Sequence, residues 1–445
     1  MKPTTTTGQP FTHILSRRAA LQRCGMGALA AALPAVSAES LPADANPASP
    51  VVAKGLPGLV VPEGLFVNPR GEDVGQVVKL VKSLGLESIR MGFLWISFEK
   101  TKGAPFDFTK HDRLMAEFRQ AGIKRFIGLI GSQNEAYHCV WRQKDPALRE
   151  ESLAAFARFA AAVTAHYRDY DILWEIINEP NENNDMTVVS NYVRVCEVLY
   201  PVIKAANPAA RISVGSIAMQ SDAWLEQALK EGLWKFGDVI AVHPYTFIPP
   251  LPPEQVAVWY GQIRDGMYCR HVPPASRKPI AVTEWGYSTS GHHSSLTPQV
   301  QAEYVVRAYL VSLLNGVAVV NLYELADNPA PPAGSAVEAS FGIFTKDFAD
   351  KPAAVALRTM VAKLRGYRLA HRLLTDNPDD YVLNFEKGRE RILAAWTSAA
   401  PHAIQLPVPS GKATVTDLLG SRREASSVEG CITLTLTGGV QYVEG

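Results

Sequence analysis

From about residue 58 to residue 365, short apolar runs alternate with stretches whose apolar positions recur every three to four residues. The first pattern reads as a buried strand and the second as an amphipathic helix, so the chain predicts a succession of βα units. Strands fall at Gly58–Val67, Ser88–Phe93, Arg125–Ile130, Ile172–Asn178, Arg211–Gly215, Val239–His243, Pro279–Thr283 and Val317–Tyr323. Helices fall near Asp73–Leu84, from Thr109, at Pro146–Tyr167, from Thr187 to before Pro208, from Asp222, at Glu254–Cys269, from Thr297-Pro298, and at Pro352–Leu364. Thr109-x-x-Asp112 has the spacing of a capping box. Eight strands alternating with eight helices predict an α/β protein built on a closed (β/α)8 TIM barrel. A doubly wound open sheet alternates in the same way. It calls for a Gly-rich phosphate loop after the first strand, which Gly58 and Gly64 do not supply.

Beyond Gly366 the pattern shortens. Tyr381–Phe385, Arg391–Trp396, Ala403–Val408, Thr414–Asp417 and Ile432–Leu436 read as strands separated by turns, which predicts a small β-sandwich over residues 366–445. Ahead of the barrel, residues 39–57 are rich in Pro and Ala and read as a linker. Ser16-Arg17-Arg18-Ala19-Ala20-Leu21, the apolar run Gly25–Leu33 and the small residues Val36-Ser37-Ala38 come in the order of a twin-arginine signal peptide over residues 1–38. That run is too short for a spanning helix, which needs about 20 residues, and Gln22-Arg23-Cys24 is not a lipoprotein box. The expectation is export in folded form to the periplasm or the extracellular medium, with no stable membrane span once the signal is removed.

The remaining composition narrows the partners. A net charge of +1 over 445 residues gives no broad field toward nucleic acid or anionic membrane. Cys139, Cys196, Cys269 and Cys431 are scattered without a C-x-x-C spacing, so no zinc site is expected. Free thiols are the expectation, although export permits a disulfide.

Barrel enzymes carry their chemistry at the C-terminal ends of the strands. Strand four ends in Trp174-Glu175-Ile176-Ile177-Asn178-Glu179-Pro180 and strand seven in Val282-Thr283-Glu284-Trp285-Gly286. Two carboxylates thus reach opposed parts of the ring. Such a pair suits glycoside hydrolysis, with one group protonating the leaving oxygen and the other attacking the anomeric carbon. A retaining pair stands about 5–5.5 Å apart, whereas an inverting pair leaves about 6.5–9.5 Å for a water. Glu175 shares strand parity with Glu179 and points into the barrel, where a charge must be paired. It reads as structural, with Arg90 a candidate partner. Aromatic residues gather at the strand ends: Trp95, Tyr137, Trp141, Tyr245, Trp285, Tyr287 and Tyr323. Their flat faces suit sugar rings, and Trp285, beside Glu284, is the foremost candidate.

Asn178-Glu179-Pro180 together with Thr283-Glu284-Trp285-Gly286 resembles clan A of the glycoside hydrolases over residues 58–365. The resemblance implies a retaining O-glycosyl hydrolase with Glu179 as general acid/base and Glu284 as nucleophile, requiring no metal or cofactor. It also implies that Arg90 holds the nucleophile ionised, that Asn178 binds the sugar 2-hydroxyl, and that His243 and Tyr245 touch substrate or nucleophile. Where the clan often carries a Trp at the end of strand eight, this chain has Tyr323. A barrel followed by a β-sandwich, and Phe341-Gly342-Ile343 ahead of Lys351-Pro352-Ala353, is most similar to family 39, which includes β-xylosidases and exopolysaccharide endoglycosidases. Families 5 and 30 stay open. The implied partner is a β-linked poly- or oligosaccharide. Two alternatives stand beside hydrolysis: a transglycosylase using the same residues, and a non-catalytic polysaccharide-binding barrel. The sequence leaves the sugar, the linkage and the oligomeric state undetermined.

Overall fold

Strands β1 (Leu65–Val67), β2 (Ser88–Leu94), β3 (Arg125–Gly131), β4 (Asp171–Ile176), β5 (Arg211–Ala218), β6 (Val239–His243), β7 (Ile280–Trp285) and β8 (Val320–Leu322) pair in parallel in chain order. β8 closes the ring by pairing Asn321 with Phe66. The computed structural model describes residues 63–69, 73–137, 145–182, 188–246, 250–317, 319–329, 335–408 and 411–445. The signal, the linker, the first half of the first strand's sequence range (58–62), Cys139 and Trp141 lie outside them.

Eight helices surround the barrel among the described residues: α1 (Val74–Ser83), α2 (Thr109–Gln120), α3 (Pro146–His166), α4 (Val189–Ala206), α5 (Asp222–Lys230), α6 (Pro253–Gly261, running on through a π turn to His271), α7 (Pro298–Leu314) and α8 (Pro352–Leu364). Their starts follow local chemistry. Asp73 accepts from the Gly75 amide at 2.9 Å, Asp145 from Ala147 at 2.9 Å, and Thr297 from Val300 at 3.2 Å, ahead of a proline that gives up no needed donor. The expected Thr109/Asp112 box does not cap α2. Asp107 accepts from the Thr109 amide at 2.9 Å instead, so Thr109 is already inside the helix.

The barrel is filled rather than hollow. Phe66, Ile127, Leu173, Val239, Ala281 and Val319 form a separate apolar cluster, in register with the inward-facing strand positions. Outward-facing residues such as Ile89, Ile130, Ile176 and Val214 join the large core shared with the helices.

The C-terminal region is a six-stranded antiparallel sheet in the order β14-β13-β16-β11-β10-β9, with a two-stranded sheet β12-β15. Here β9 is Arg368–Leu373, β10 Asp380–Lys387, β11 Glu390–Thr397, β12 His402–Pro407, β13 Lys412–Thr416, β14 Arg422–Ser426, β15 Cys431–Leu436 and β16 Gln441–Glu444. Alternation along β10 and β11 separates two faces. Leu383, Phe385, Ile392 and Trp396 join the barrel's core, while Val382, Leu393 and Ala395 pack with Leu434 and Leu436 in a core of their own. Cys196, Cys269 and Cys431 are free thiols.

A buried ion pair fastens the two regions. Arg307 on α7 donates Nε to Glu254 Oε1 on α6 at 2.8 Å, and Trp396 Nε1 of β11 donates to the same oxygen at 2.8 Å. Both charged groups are buried. Removing one member leaves the other charge uncompensated, which costs about 3–5 kcal/mol. Glu254→Ala is therefore expected to lower unfolding stability by about that amount, read as a shift of the denaturation midpoint.

Candidate active site

The functional side chains come from the C-terminal ends of strands, except Arg90, which lies in the first half of its strand and not at its end. Arg90 lies on β2 and Glu175 on β4, with Glu179 just beyond it. His243 ends β6, Tyr245 follows it, and Thr283 and Glu284 lie near the end of β7. Register explains why Arg90 and Glu175 meet. Arg90 is level with Ile127 and Glu175 with Leu129, two inward-facing positions of the strand between them, so both side chains point into the ring. The turn after β4 is tight: Ile177 and Glu179 have φ of 62° and 46°. Such left-handed backbone costs non-glycine residues about 1–3 kcal/mol and gathers at functional sites. The Glu179 amide donates to Ser216 O at 3.0 Å, which holds the turn against β5.

Arg90 is the hub. It donates Nη1 to Glu284 Oε2 at 2.8 Å, Nη2 to Glu175 Oε1 at 2.7 Å, Nε to Glu175 Oε2 at 3.3 Å, and Nη2 to Asn178 Oδ1 at 2.7 Å. Burial opposes its charge, but the carboxylates of Glu175 and Glu284 more than offset this, and its pKa stands above the ordinary value. Glu284 Oε1 also accepts from the Tyr245 hydroxyl at 3.0 Å. Two donors on one carboxylate favour its ionised form. His243 joins Nδ1 to Glu179 Oε1 at 3.1 Å and Nε2 to Thr283 Oγ1 at 3.0 Å. Of the two residues expected at substrate or nucleophile, Tyr245 touches Glu284 and His243 touches Glu179.

Glu179, His243 and Glu284 each offer an atom within 4.8 Å of the others, the one such cluster among the described residues with metal-ligand chemistry. The Arg90 guanidinium already supplies the cation beside Glu284, and both His243 nitrogens face oxygens. This arrangement suits proton transfer and nucleophilic attack better than coordination of a dication. One oxygen of each carboxyl group thus lies within 4.8 Å of the other, an approach that favours the close spacing of a retaining pair over the wider spacing of an inverting one.

The other sequence candidates divide. Asn178 is half-buried and bonded to Arg90. Trp285 is buried beside Glu284, with its ring 5.7 Å from Tyr287. Tyr323 packs its ring on Phe341, which also meets Tyr245, and its hydroxyl donates to Glu338 Oε2 at 3.5 Å. Trp95 is not a sugar platform. It stacks on Tyr137 and lies among Phe156 and Phe159 of α3, and its ring N–H goes to Glu99 at 2.7 Å. The physical reason is that the chain leaves β2 in a short 3-10 turn, which aims this indole at the helix layer. Two partners escaped the sequence reading. Thr283 orients His243, and strand parity with the inward position Ala281 was the available signal. Glu338 sits on a long Pro-rich loop, where no periodicity fixes a side chain's direction.

A family model described as Cellulase (glycosyl hydrolase family 5) matches residues 49–313, more than half of the chain. The chain belongs to this family. It is accordingly a clan A glycoside hydrolase, and that clan retains anomeric configuration. No curated relative matches the hydrolase. Its fold is similar to that of a family 39 glycoside hydrolase from Bacteroides cellulosilyticus WH2 (TM-score 0.71, 22% identity, covering 86% of this chain and 81% of that one). It is also similar to a GH39 β-xylosidase from Caulobacter crescentus (0.61, 17%, 87% and 96%) and a GH30 endoxylanase from Clostridium papyrosolvens C71 (0.60, 14%, 86% and 95%). The family 39 layout read from the sequence thus recurs in the fold, while the matching sequence model is that of family 5 in the same clan.

Two predictions follow from the hydrolase's geometry. Arg90→Lys keeps a charge, but one ammonium cannot reach Glu284, Glu175 and Asn178 together. The loss of a preorganised donor predicts a fall in kcat of roughly 10²–10³-fold. Weaker support of the Glu284 carboxylate makes it ionise at higher pH, so the acidic limb of kcat/KM is expected to move up. A pH profile of the variant against the parent checks both. Separately, a Cβ on Gly286 would lie 1.7 Å from the Tyr323 carbonyl oxygen. Gly286→Ala must push β7 and β8 apart beside Glu284, and is expected to cost about 1–3 kcal/mol in a thermal melt.

Proposed function

We propose that this glycosidase is exported and acts on a β-linked poly- or oligosaccharide, with Glu284 as nucleophile and Glu179 as general acid/base. The observation that carries the proposal is the facing pair itself: carboxylate oxygens within 4.8 Å, with Arg90 and Tyr245 donating to Glu284 and His243 beside Glu179. In the first step Glu284 attacks the anomeric carbon while Glu179 gives its proton to the leaving oxygen, forming a covalent glycosyl-enzyme. In the second, Glu179 takes a proton from water, which displaces Glu284. Asn178, oriented by Arg90, is placed to bond the sugar 2-hydroxyl. β-Xylosides come first among candidate substrates, because fold neighbours are named for β-xylosidase and endoxylanase activity. The twin-arginine pattern at Ser16–Leu21 supports export, and no described helix is long and apolar enough to cross a membrane.

The test is turnover of aryl β-xyloside, β-glucoside and β-mannoside and of matching polysaccharides, with the first-formed anomer followed by proton NMR. A β-product from a β-substrate is expected. An α-product, or turnover confined to α-linked substrates, would sink the proposal.

A further inference from the structure

α8 meets the six-stranded sheet region through Lys363, which donates to Glu444 of β16, and through Thr359 beside Gly420. Gly366, at φ +82°, turns the chain away into β9. Beside this turn lies a cavity of about 310 Å³, walled by Lys363 and Arg365 from the end of α8, Tyr367, Lys387 of β10, Glu390 of β11, Arg422 of β14 and Glu444 of β16. Register puts these groups on one face. Lys387 is opposite Glu390, Glu444 is opposite Ile392, and Arg422 is opposite Thr416, which is itself opposite Tyr442 of the barrel-facing core.

Four cations meet two carboxylates here, and both carboxylates are already engaged. Glu444 accepts from Lys363, and Glu390 accepts from the Tyr367 hydroxyl at 2.8 Å. Arg365 is bound to the Gly85 carbonyl. Lys387 lies over the Tyr367 ring, 5.6 Å from its centre, with its stem against Gly366. Among the described residues neither Lys387 nor Arg422 has a carboxylate within ion-pair range, and both are exposed. The cavity thus presents two uncommitted positive groups beside an aromatic edge and a tyrosine hydroxyl. Its volume lies at the lower end of the range for small-molecule sites, about 300–1,000 Å³, and exceeds what a bare oxyanion fills.

The geometry points to a second, non-catalytic saccharide site that holds a carboxylate-bearing sugar residue, a uronate, of a polysaccharide chain. Arg422 and Lys387 receive the carboxylate, a charge-assisted contact, while the remaining volume takes the ring and its hydroxyls. The site anchors the polymer away from the barrel mouth and raises its local concentration there. It stands apart from the roles of Glu179 and Glu284, because it binds without turnover.

Calorimetric titration of the full chain with trigalacturonate, an α-linked probe outside β-glycosidase chemistry, tests this. Wild type is expected to bind it, more weakly at high salt. Lys387→Glu/Arg422→Glu is expected to weaken binding by roughly tenfold or more, while hydrolysis of a small aryl β-glycoside stays at the parental rate and shows the variant folded. The proposal is overturned if wild type does not bind trigalacturonate, if the double variant binds it unchanged, or if neutral xylotriose loses affinity in the variant to the same degree. Displacement of trigalacturonate by an equal concentration of inorganic phosphate also overturns it, since the cavity is then a simple oxyanion site.

Discussion

Glu284→Gly is expected to lower turnover of an aryl β-glycoside by roughly 10⁴-fold or more, and millimolar azide is expected to restore part of it. The loss follows from the role: without the carboxylate no covalent intermediate forms, and the rest of the site cannot replace it. Rescue follows from the surroundings. The substitution empties a cradle that keeps Arg90 Nη1 and the Tyr245 hydroxyl, the donors that lie 2.8 and 3.0 Å from the Glu284 oxygens in the intact protein. Glu175 still fixes Arg90 through two contacts. A small anion bound there attacks the anomeric carbon from the side opposite the leaving group, so the product is an α-glycosyl azide. Liquid chromatography and NMR of the product check this. Parental activity without azide would remove Glu284 from the nucleophile's role.

How far the sequence foretold this site depends on what each residue's placement requires. Glu179 and Glu284 were legible because a strand end at the barrel mouth is a topological position and each stands there in a recognisable motif; strict alternation along β7 would have set Glu284 with the outward Val282, and the register shift after Val282 is not visible in the sequence. Arg90 and Glu175 were legible as an inward-facing pair because a buried charge demands a partner. Trp95 was not: a three-residue 3-10 turn reverses its direction, and no periodicity survives so short an element. The same limit shows in the sheet region. Five of its strands carry enough apolar residues to read, β10 and β11 as runs buried on both faces, but β9 and β14 are the edges of the six-stranded sheet. With little of either buried, they carry no apolar face to read. β16 is four residues long. The bond from Trp396 to Glu254 spans 142 residues of sequence, and nothing local announces it.

Glu179→Ala is expected to separate the two chemical steps. For a glycan with a poor leaving group, loss of the proton donor lowers kcat/KM by roughly 10²–10⁴-fold. For a dinitrophenyl glycoside, whose leaving group needs no proton, the first step survives. The second step lacks its base, so the glycosyl-enzyme accumulates and a stopped-flow trace shows a burst followed by slow turnover. His243 remains oriented by Thr283 at 3.0 Å, so the change is confined to the missing carboxyl group. The alkaline limb of the pH profile, which reports loss of the acid's proton, flattens for the dinitrophenyl substrate. Azide accelerates this variant too, but it attacks the intermediate already inverted on Glu284, so its product is the β-glycosyl azide. The two variants therefore give azides of opposite configuration from one substrate. That opposition cannot arise if the two glutamates share a role, or if a water-mediated inverting displacement operates between them.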